Sequence, residues 1–130
     1  TDGSDGKKKH QTVKEAIDDL KDTPENKETH QIYTKHSEAF TEKIKNTKIG
    51  ESVNKKYTEA FFRCSPDKPS NTVKENRVMT PRELARLQSF PDDYRFNGTK
   101  SSVLVQLGNA VPCGLSHAIA KEIKKIFMHI

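Results

Sequence analysis

Tryptophan is absent from this 130-residue chain, and residues of the hydrophobic classes make up only 32% of it, no more than the 32% that carry charge. A chain this short and this polar has little with which to build a core, and small domains already bury a smaller fraction of their surface than large ones. The composition therefore leads us to expect that the chain leans on sequence outside itself. Cysteine is scarce as well: Cys64 and Cys113 form no CxxC pair, and the five histidines (His10, His30, His36, His117 and His129) lack zinc-ligand spacing, so no metal site is expected. No apolar run approaches the roughly 18 residues that would suggest a membrane span, and the N-terminus has no signal-peptide core. No membrane partner is expected, and a soluble, reducing, cytoplasmic setting is the default reading.

What the chain does have is charge. The formal net charge is +5, yet the two signs are interspersed along most of the length. Residues 1–76 carry 15 basic and 14 acidic side chains, whereas residues 77–130 carry 8 and 4, so the excess lies in the C-terminal part. A basic excess suits a polyanionic partner, although any single lysine here is accounted for equally well by a solvated surface.

Residues 1–11 are rich in small and charged side chains without periodicity and read as a linker. From Thr12 to Leu20, Val13, Ala16, Ile17 and Leu20 recur at helical spacing behind a capping threonine. Lys21 to His36, broken by Pro24 and Asn26, reads as an exposed loop. A second short helix is expected over Ser37 to Asn46, with Ala39, Phe40 and Ile44 as its apolar side. Tyr57 to Arg63 and Asn71-Thr72-Val73 suggest extended segments, separated by a turn through Pro66 and Pro69.

Thr80-Pro81-Arg82-Glu83 carries every mark of a helix start: threonine at the cap, proline at the first helical position and glutamate three residues after the cap. Phe90-Pro91-Asp92-Asp93 ends that helix. Val103-Leu104-Val105 is expected as a short buried run, followed by a turn at Gly108-Asn109. Leu115, Ala118, Ile119, Ile123, Ile126 and Phe127 then mark a long amphipathic helix from Pro112 to Phe127.

Two segments are more specific than periodicity. Arg77-Val78-Met79-Thr80-Pro81-Arg82-Glu83-Leu84-Ala85-Arg86-Leu87-Gln88-Ser89-Phe90-Pro91-Asp92 closely resembles the ninth motif of DNA (cytosine-5) methyltransferases, and Gln106-Leu107-Gly108-Asn109-Ala110-Val111-Pro112 resembles the tenth. Pro69-Ser70-Asn71-Thr72-Val73 looks like the end of that family's target-recognition region, and Thr12 to Leu20, more weakly, like the helix that follows its eighth motif. The resemblance covers residues 69–127 best.

This resemblance implies an α/β fold class: the C-terminal part of a Rossmann-like, S-adenosylmethionine-dependent methyltransferase with a small mixed target-recognition domain. Residues 12–76 would belong to the small domain, and residues 77–130 would return to the cofactor-binding domain. In that family the target cytosine is flipped out of double-stranded DNA, a cysteine thiolate adds to its C6, and a methyl group passes from S-adenosyl-L-methionine to C5. Asn109, Ala110 and Val111 match positions that line the cofactor pocket; the plain alternative is an ordinary turn before the last helix. Thr72 and Val73 match a pair that supports the backbone of the flipped nucleotide, and Lys74 joins them as a DNA-binding candidate. For that pair a β-branched preference for strands is an equal explanation. Arg63 and Lys68 are further candidates for phosphate contact. Arg82, Glu83, Arg86 and Gln88 are assigned supporting roles, as anchors rather than DNA contacts.

The departures weigh as much. The chain holds no glycine-rich cofactor turn, no Pro-Cys-Gln nucleophile segment, no glutamate motif and no arginine-bearing eighth motif. Pro112-Cys113 is followed by Gly114 and sits inside the tenth motif, so Cys113 is read as a small packed residue. The loop between Val73 and Arg77 is shorter than is usual in the family, which leaves the recognised bases open. The chain alone is expected to be inactive, with the catalytic portion supplied by the same chain or by a separate subunit. A catalytically inactive DNA-binding or regulatory module, and a helical interaction protein with no nucleic-acid role, are the rival readings.

Overall fold

In the computed structural model, residues 11–54, 63–68 and 78–128 are described. Among them are five α-helices, α1 (Val13–Ile17), α2 (Glu38–Asn46), α3 (Pro81–Leu87), α4 (Lys100–Asn109) and α5 (Cys113–Phe127), with a single 3-10 turn, Asp18–Leu20, continuing α1. No extended strand occurs among the described residues. Of the extended segments expected at 57–63 and 71–73, all but Arg63 lie outside them, and so do Thr72, Val73 and Lys74.

Local chemistry sets the helix starts. In α1 the Thr12 hydroxyl accepts from the Glu15 amide at 3.2 Å while the Glu15 carboxylate accepts from the Thr12 amide at 2.8 Å. The same reciprocal pair recurs at α3, where Thr80 and Glu83 exchange bonds of 3.2 and 2.8 Å. Each pair satisfies two amides that a bare helix end would leave without partners. Ser37 caps α2 and Thr99 caps α4 in the simpler one-bond form.

The helix α3 is the hub. One core cluster joins Val13, Ala16 and Ile17 of α1 to Cys64 and Met79, with Leu84 and Leu87 packed against it. Another joins Ala85 of α3 to Phe96, Val103 and Leu107, with Leu84 and Phe90 against it. Leu84 touches both, so one seven-residue helix separates two thin cores, with the free Cys64 buried in the first.

The stretch around residues 103–109 departs from expectation. Val103 to Val105 is not a buried run before a turn: it lies inside α4, which continues through Gly108 and Asn109. Val103 and Leu107, four residues apart, face α3 and are buried, whereas Val105 is 63% exposed. Three consecutive apolar residues mimic a buried strand, but the cap bond from the Ser102 amide to the Thr99 hydroxyl starts a helix that uses only one face of them.

The supposedly exposed loop from Lys21 to His36 also turns inward. Asn26 and Gln31 exchange two backbone bonds of 2.9 Å, and the Asn26 side chain accepts from the amides of Glu28 and Thr29. This Asx-type turn delivers His30 and Gln31 into the interior, His30 in the left-handed region at φ 59°. Gln31 donates to the Leu20 carbonyl and accepts from the Thr80 hydroxyl at 2.7 Å, so the loop locks onto the α3 cap.

By length and composition Lys100–Phe127 is apolar enough to cross a membrane, more than the sequence pattern suggests. It is not one rod. Ala110 and Pro112 are extended, at ψ 142° and 132°, leaving helices that rise about 15 and 22 Å, each short of a hydrocarbon core of about 30 Å.

Candidate functional site

The residues expected to meet a cofactor form one bend between α4 and α5. Asn109 ends α4, Ala110 is half-buried in extended geometry, and Val111 is 59% exposed before Pro112. The bend is closed from inside by the Ala110 amide donating to the Leu107 carbonyl at 3.3 Å. Gly108 has open space where a side chain would stand, so its backbone is approachable from outside.

Behind the bend stands Gln88, at the end of α3. Its side-chain amide donates to the Leu107 carbonyl at 2.7 Å, and its backbone carbonyl accepts from the Cys113 amide at 3.0 Å. The bend is therefore held at both ends by one residue. Ser89 adopts a left-handed φ of 62°. A Cβ on Gly114 would lie 3.2 Å from the Ser89 hydroxyl, a measure of how closely α5 approaches this corner. Cys113 sits half-buried in the first turn of α5 with its amide spent on Gln88, in keeping with a packed small residue.

The arginines of the ninth-motif segment are anchors. Arg82 is 2% exposed and donates to three carbonyls, those of Thr29 at 2.8 Å, Pro91 at 3.2 Å and Tyr94 at 2.6 Å. Its guanidinium also lies 5.7 Å from the centroid of the Phe96 ring. Burial pulls its pKa below the ordinary arginine value, with Asp92 opposing that. Arg86 holds Asp92 through two bonds, 3.0 and 2.7 Å, and also pairs with Asp19 and reaches the Ala16 carbonyl. The hydrogen bond to Asp92 is the main cause raising its pKa, and the bond from Arg86 is the main cause holding Asp19 below the usual carboxylate range.

Arg63, a candidate for phosphate contact, instead donates to the Lys45 and Thr47 carbonyls at the end of α2. Sequence reasoning missed Gln31, Tyr33 and Lys100 as tertiary ties. The Lys100 ammonium donates to the Ile32 carbonyl and the Thr34 hydroxyl, and burial lowers its pKa. The only local signal was Asn26, a turn-forming residue five positions before Gln31. No group of three or more histidine, cysteine or acidic side chains that could hold a metal occurs among the described residues.

Beyond its first turn, the last helix packs on no other helix among the described residues. Leu115, Ile119, Ile123, Ile126 and Phe127 lie 47% to 71% exposed, and α5 has no buried residue. Their spacing draws an apolar stripe along its 15 residues.

Against known proteins, the family model for C-5 cytosine-specific DNA methylase matches residues 2–125. A putative type II methyltransferase, M.MJ0563P of Methanocaldococcus jannaschii, is 39% identical over 120 residues, covering 82% of this chain and 38% of that protein. The type II methyltransferase M.BbvI of Brevibacillus brevis is 32% identical over 151 aligned positions, covering 95% and 39%. The chain thus spans about two fifths of these two relatives. The type II methyltransferase M.AquIB of Picosynechococcus sp. differs: at 34% identity over 122 residues, the match covers 75% of this chain and 88% of that protein. No solved structure matches the chain.

Proposed function

Because the chain belongs to the C-5 cytosine-specific DNA methylase family, we propose that it is the recognition and cofactor-closing part of a DNA (cytosine-5) methyltransferase whose nucleophile lies in another portion. The observation that carries this is the match of residues 2–125 to the family in a chain without a Pro-Cys-Gln segment. The unpartnered apolar stripe of α5 supports it physically: a surface of that kind is the half of a core whose other half is elsewhere.

The residues present suit the edge of an S-adenosyl-L-methionine pocket, not a whole one. The bend at Asn109, Ala110 and Val111 offers an exposed amide side chain and approachable backbone, while the glycine-rich turn that would cradle the rest of the ligand is absent. When bound, that cofactor supplies an electrophilic methyl group. On this reading Asn109 and the adjoining backbone orient it, and Val111 excludes water from one side. The α5 stripe seats the bend on a Rossmann-like domain, the α/β part of the enzyme. Residues 12–76 belong to the small domain and residues 77–130 return to the large one. Thr72, Val73 and Lys74 are the chain's contribution to gripping double-stranded DNA around a flipped cytosine in a specific site. The cysteine that attacks C6 and the acid that assists it come from the catalytic portion.

That portion is the remainder of a longer chain, as the lengths of M.MJ0563P and M.BbvI suggest, or a separate subunit, a reading favoured by the nearly complete coverage of M.AquIB. Such an enzyme would act on DNA in the cytoplasm, as part of a type II restriction-modification pair.

The test is reconstitution. Mixed with a family N-terminal portion carrying the missing motifs, the chain should restore transfer of labelled methyl groups to duplex DNA, with neither part active alone. DNA affinity should fall steeply with salt, as phosphate contacts require. Binding of DNA by the assembled pair with no methyl transfer would favour the inactive-module reading. Salt-insensitive, negligible binding would favour a helical interaction protein.

A further inference from the structure

The geometry points to Gln88 as the positioning residue of the methyl-donor bend: an α3 side chain that sets the angle between α4 and α5 and thereby where Asn109, Ala110 and Val111 stand. This rests on the proposal that the bend meets the cofactor.

Two bonds from one residue straddle the bend. The Gln88 side-chain amide takes the Leu107 carbonyl at 2.7 Å, two residues before Asn109, and the Gln88 carbonyl takes the Cys113 amide at 3.0 Å, two residues after Val111. The intervening chain has little else to hold it among the described residues. The Ala110 amide bonds back to Leu107, within the same helix end, and α5 has no side-chain cap and no buried residue. The same Leu107 carbonyl thus serves both Ala110 and Gln88, so moving the Gln88 amide moves the acceptor that closes the bend.

The choice of residue is informative. Gln88 Oε1 is buried with no hydrogen-bond partner, a penalty that methionine or leucine filling the same space would avoid. Glutamine is retained for its donor. Ser89, in the left-handed region beside it, turns the chain away from α3 at the point where the Gln88 carbonyl is directed at α5. Because Gln88 ends the helix whose start is locked by Thr80, Glu83 and Gln31, the bend is referenced to a helix that both core clusters pack against.

The experiment uses the complete methyltransferase, assembled from this chain and its catalytic portion, with S-adenosylhomocysteine as the binding probe. Gln88→Met removes the donor at similar volume. The expected result is an S-adenosylhomocysteine affinity about tenfold weaker and a matching rise in KM for S-adenosylmethionine, with KM for DNA within about twofold of the parent. Gln88→Glu keeps the shape but presents an acceptor to the Leu107 carbonyl at neutral pH. Its affinity for the probe should recover as pH falls and the protonated carboxyl becomes a donor, over a range in which the parent is flat. That pH profile decides the matter even if Gln88→Met fails to fold.

Asn109→Ala separates the two levels of the argument. If it weakens probe binding while both Gln88 variants bind like the parent, the positioning role is overturned and the bend keeps its cofactor. If Asn109→Ala leaves probe binding unchanged, the bend reading itself fails and takes the role of Gln88 with it. Gln88 variants that weaken DNA and probe equally, with no recovery at low pH for Gln88→Glu, would overturn the proposal in favour of a general structural tie.

Discussion

Arg82 shows how a charged residue in a dense motif becomes an internal fastener. Three carbonyls from two separate loops converge on one buried guanidinium, and no carboxylate is bonded to it among the described contacts. Its planar fork fits them in a way that a lysine ammonium does not. Arg82→Lys should therefore destabilise the chain by about 2–4 kcal/mol, since carbonyls are left without donors inside the fold. Thermal unfolding followed by circular dichroism measures this, and an unchanged melting point would refute the anchoring role. Asp19 works at the opposite extreme. Its carboxylate is 68% exposed, and its pKa lies below the ordinary value chiefly through the Arg86 bond. A carboxylate whose folded pKa is depressed stabilises the fold above its unfolded pKa, and that contribution disappears as pH falls from there through the folded value. Asp19→Asn should cost only a few tenths of a kcal/mol at pH 7, because solvent screens the pair. The difference from the parent should vanish in acid, below the usual carboxylate range.

At the scale of elements, the starts of α1, α2, α3 and α5 were legible, whereas α4 and the helix partners were not. Thr12 with Glu15 and Thr80 with Glu83 announce their helices because the bonds that make a capping box span three residues and need nothing distant. The segment Val103 to Val105 misleads because a run of three apolar residues is equally compatible with a strand, and only packing against Ala85 and Phe96 selects the helical face. The loop through His30 and Gln31 misleads for a related reason: its polar residues read as solvent-facing, whereas the Thr80 hydroxyl, 49 positions away from Gln31, gives them partners inside. For α5 the amphipathic pattern was plain, and among the described residues nothing buries its stripe. Ile119→Asp combined with Ile123→Asp should leave the melting point of the isolated chain within about a degree, since both side chains are about half open to solvent and neither belongs to a core cluster. The same pair should abolish reconstitution with the catalytic portion. A drop in the isolated chain's own stability would show instead that α5 packs within the chain.

For the molecule as a whole, two thin clusters on either side of α3 carry the tertiary structure, as a chain with 32% hydrophobic residues would suggest. The first cluster joins Val13, Ala16 and Ile17 to Met79 and Leu84, across the boundary proposed at residue 76 between the small domain and the returning segment. Its family was legible in the ordered residues of the ninth and tenth motifs, because those strings combine local caps, turns and packing positions that rarely recur together by chance. By itself the sequence determined the starts of every described helix but α4, the amphipathic α5 and the family, all of which depend on residues close together along the chain. Tertiary structure alone decided which carbonyls and carboxylates Arg82 and Arg86 hold, that Gln31 joins the α3 cap, and that Gln88 brackets the Asn109 bend. Those choices depend on which carbonyls and hydroxyls distant segments bring within bonding distance, and spacing along a single chain does not encode that directly.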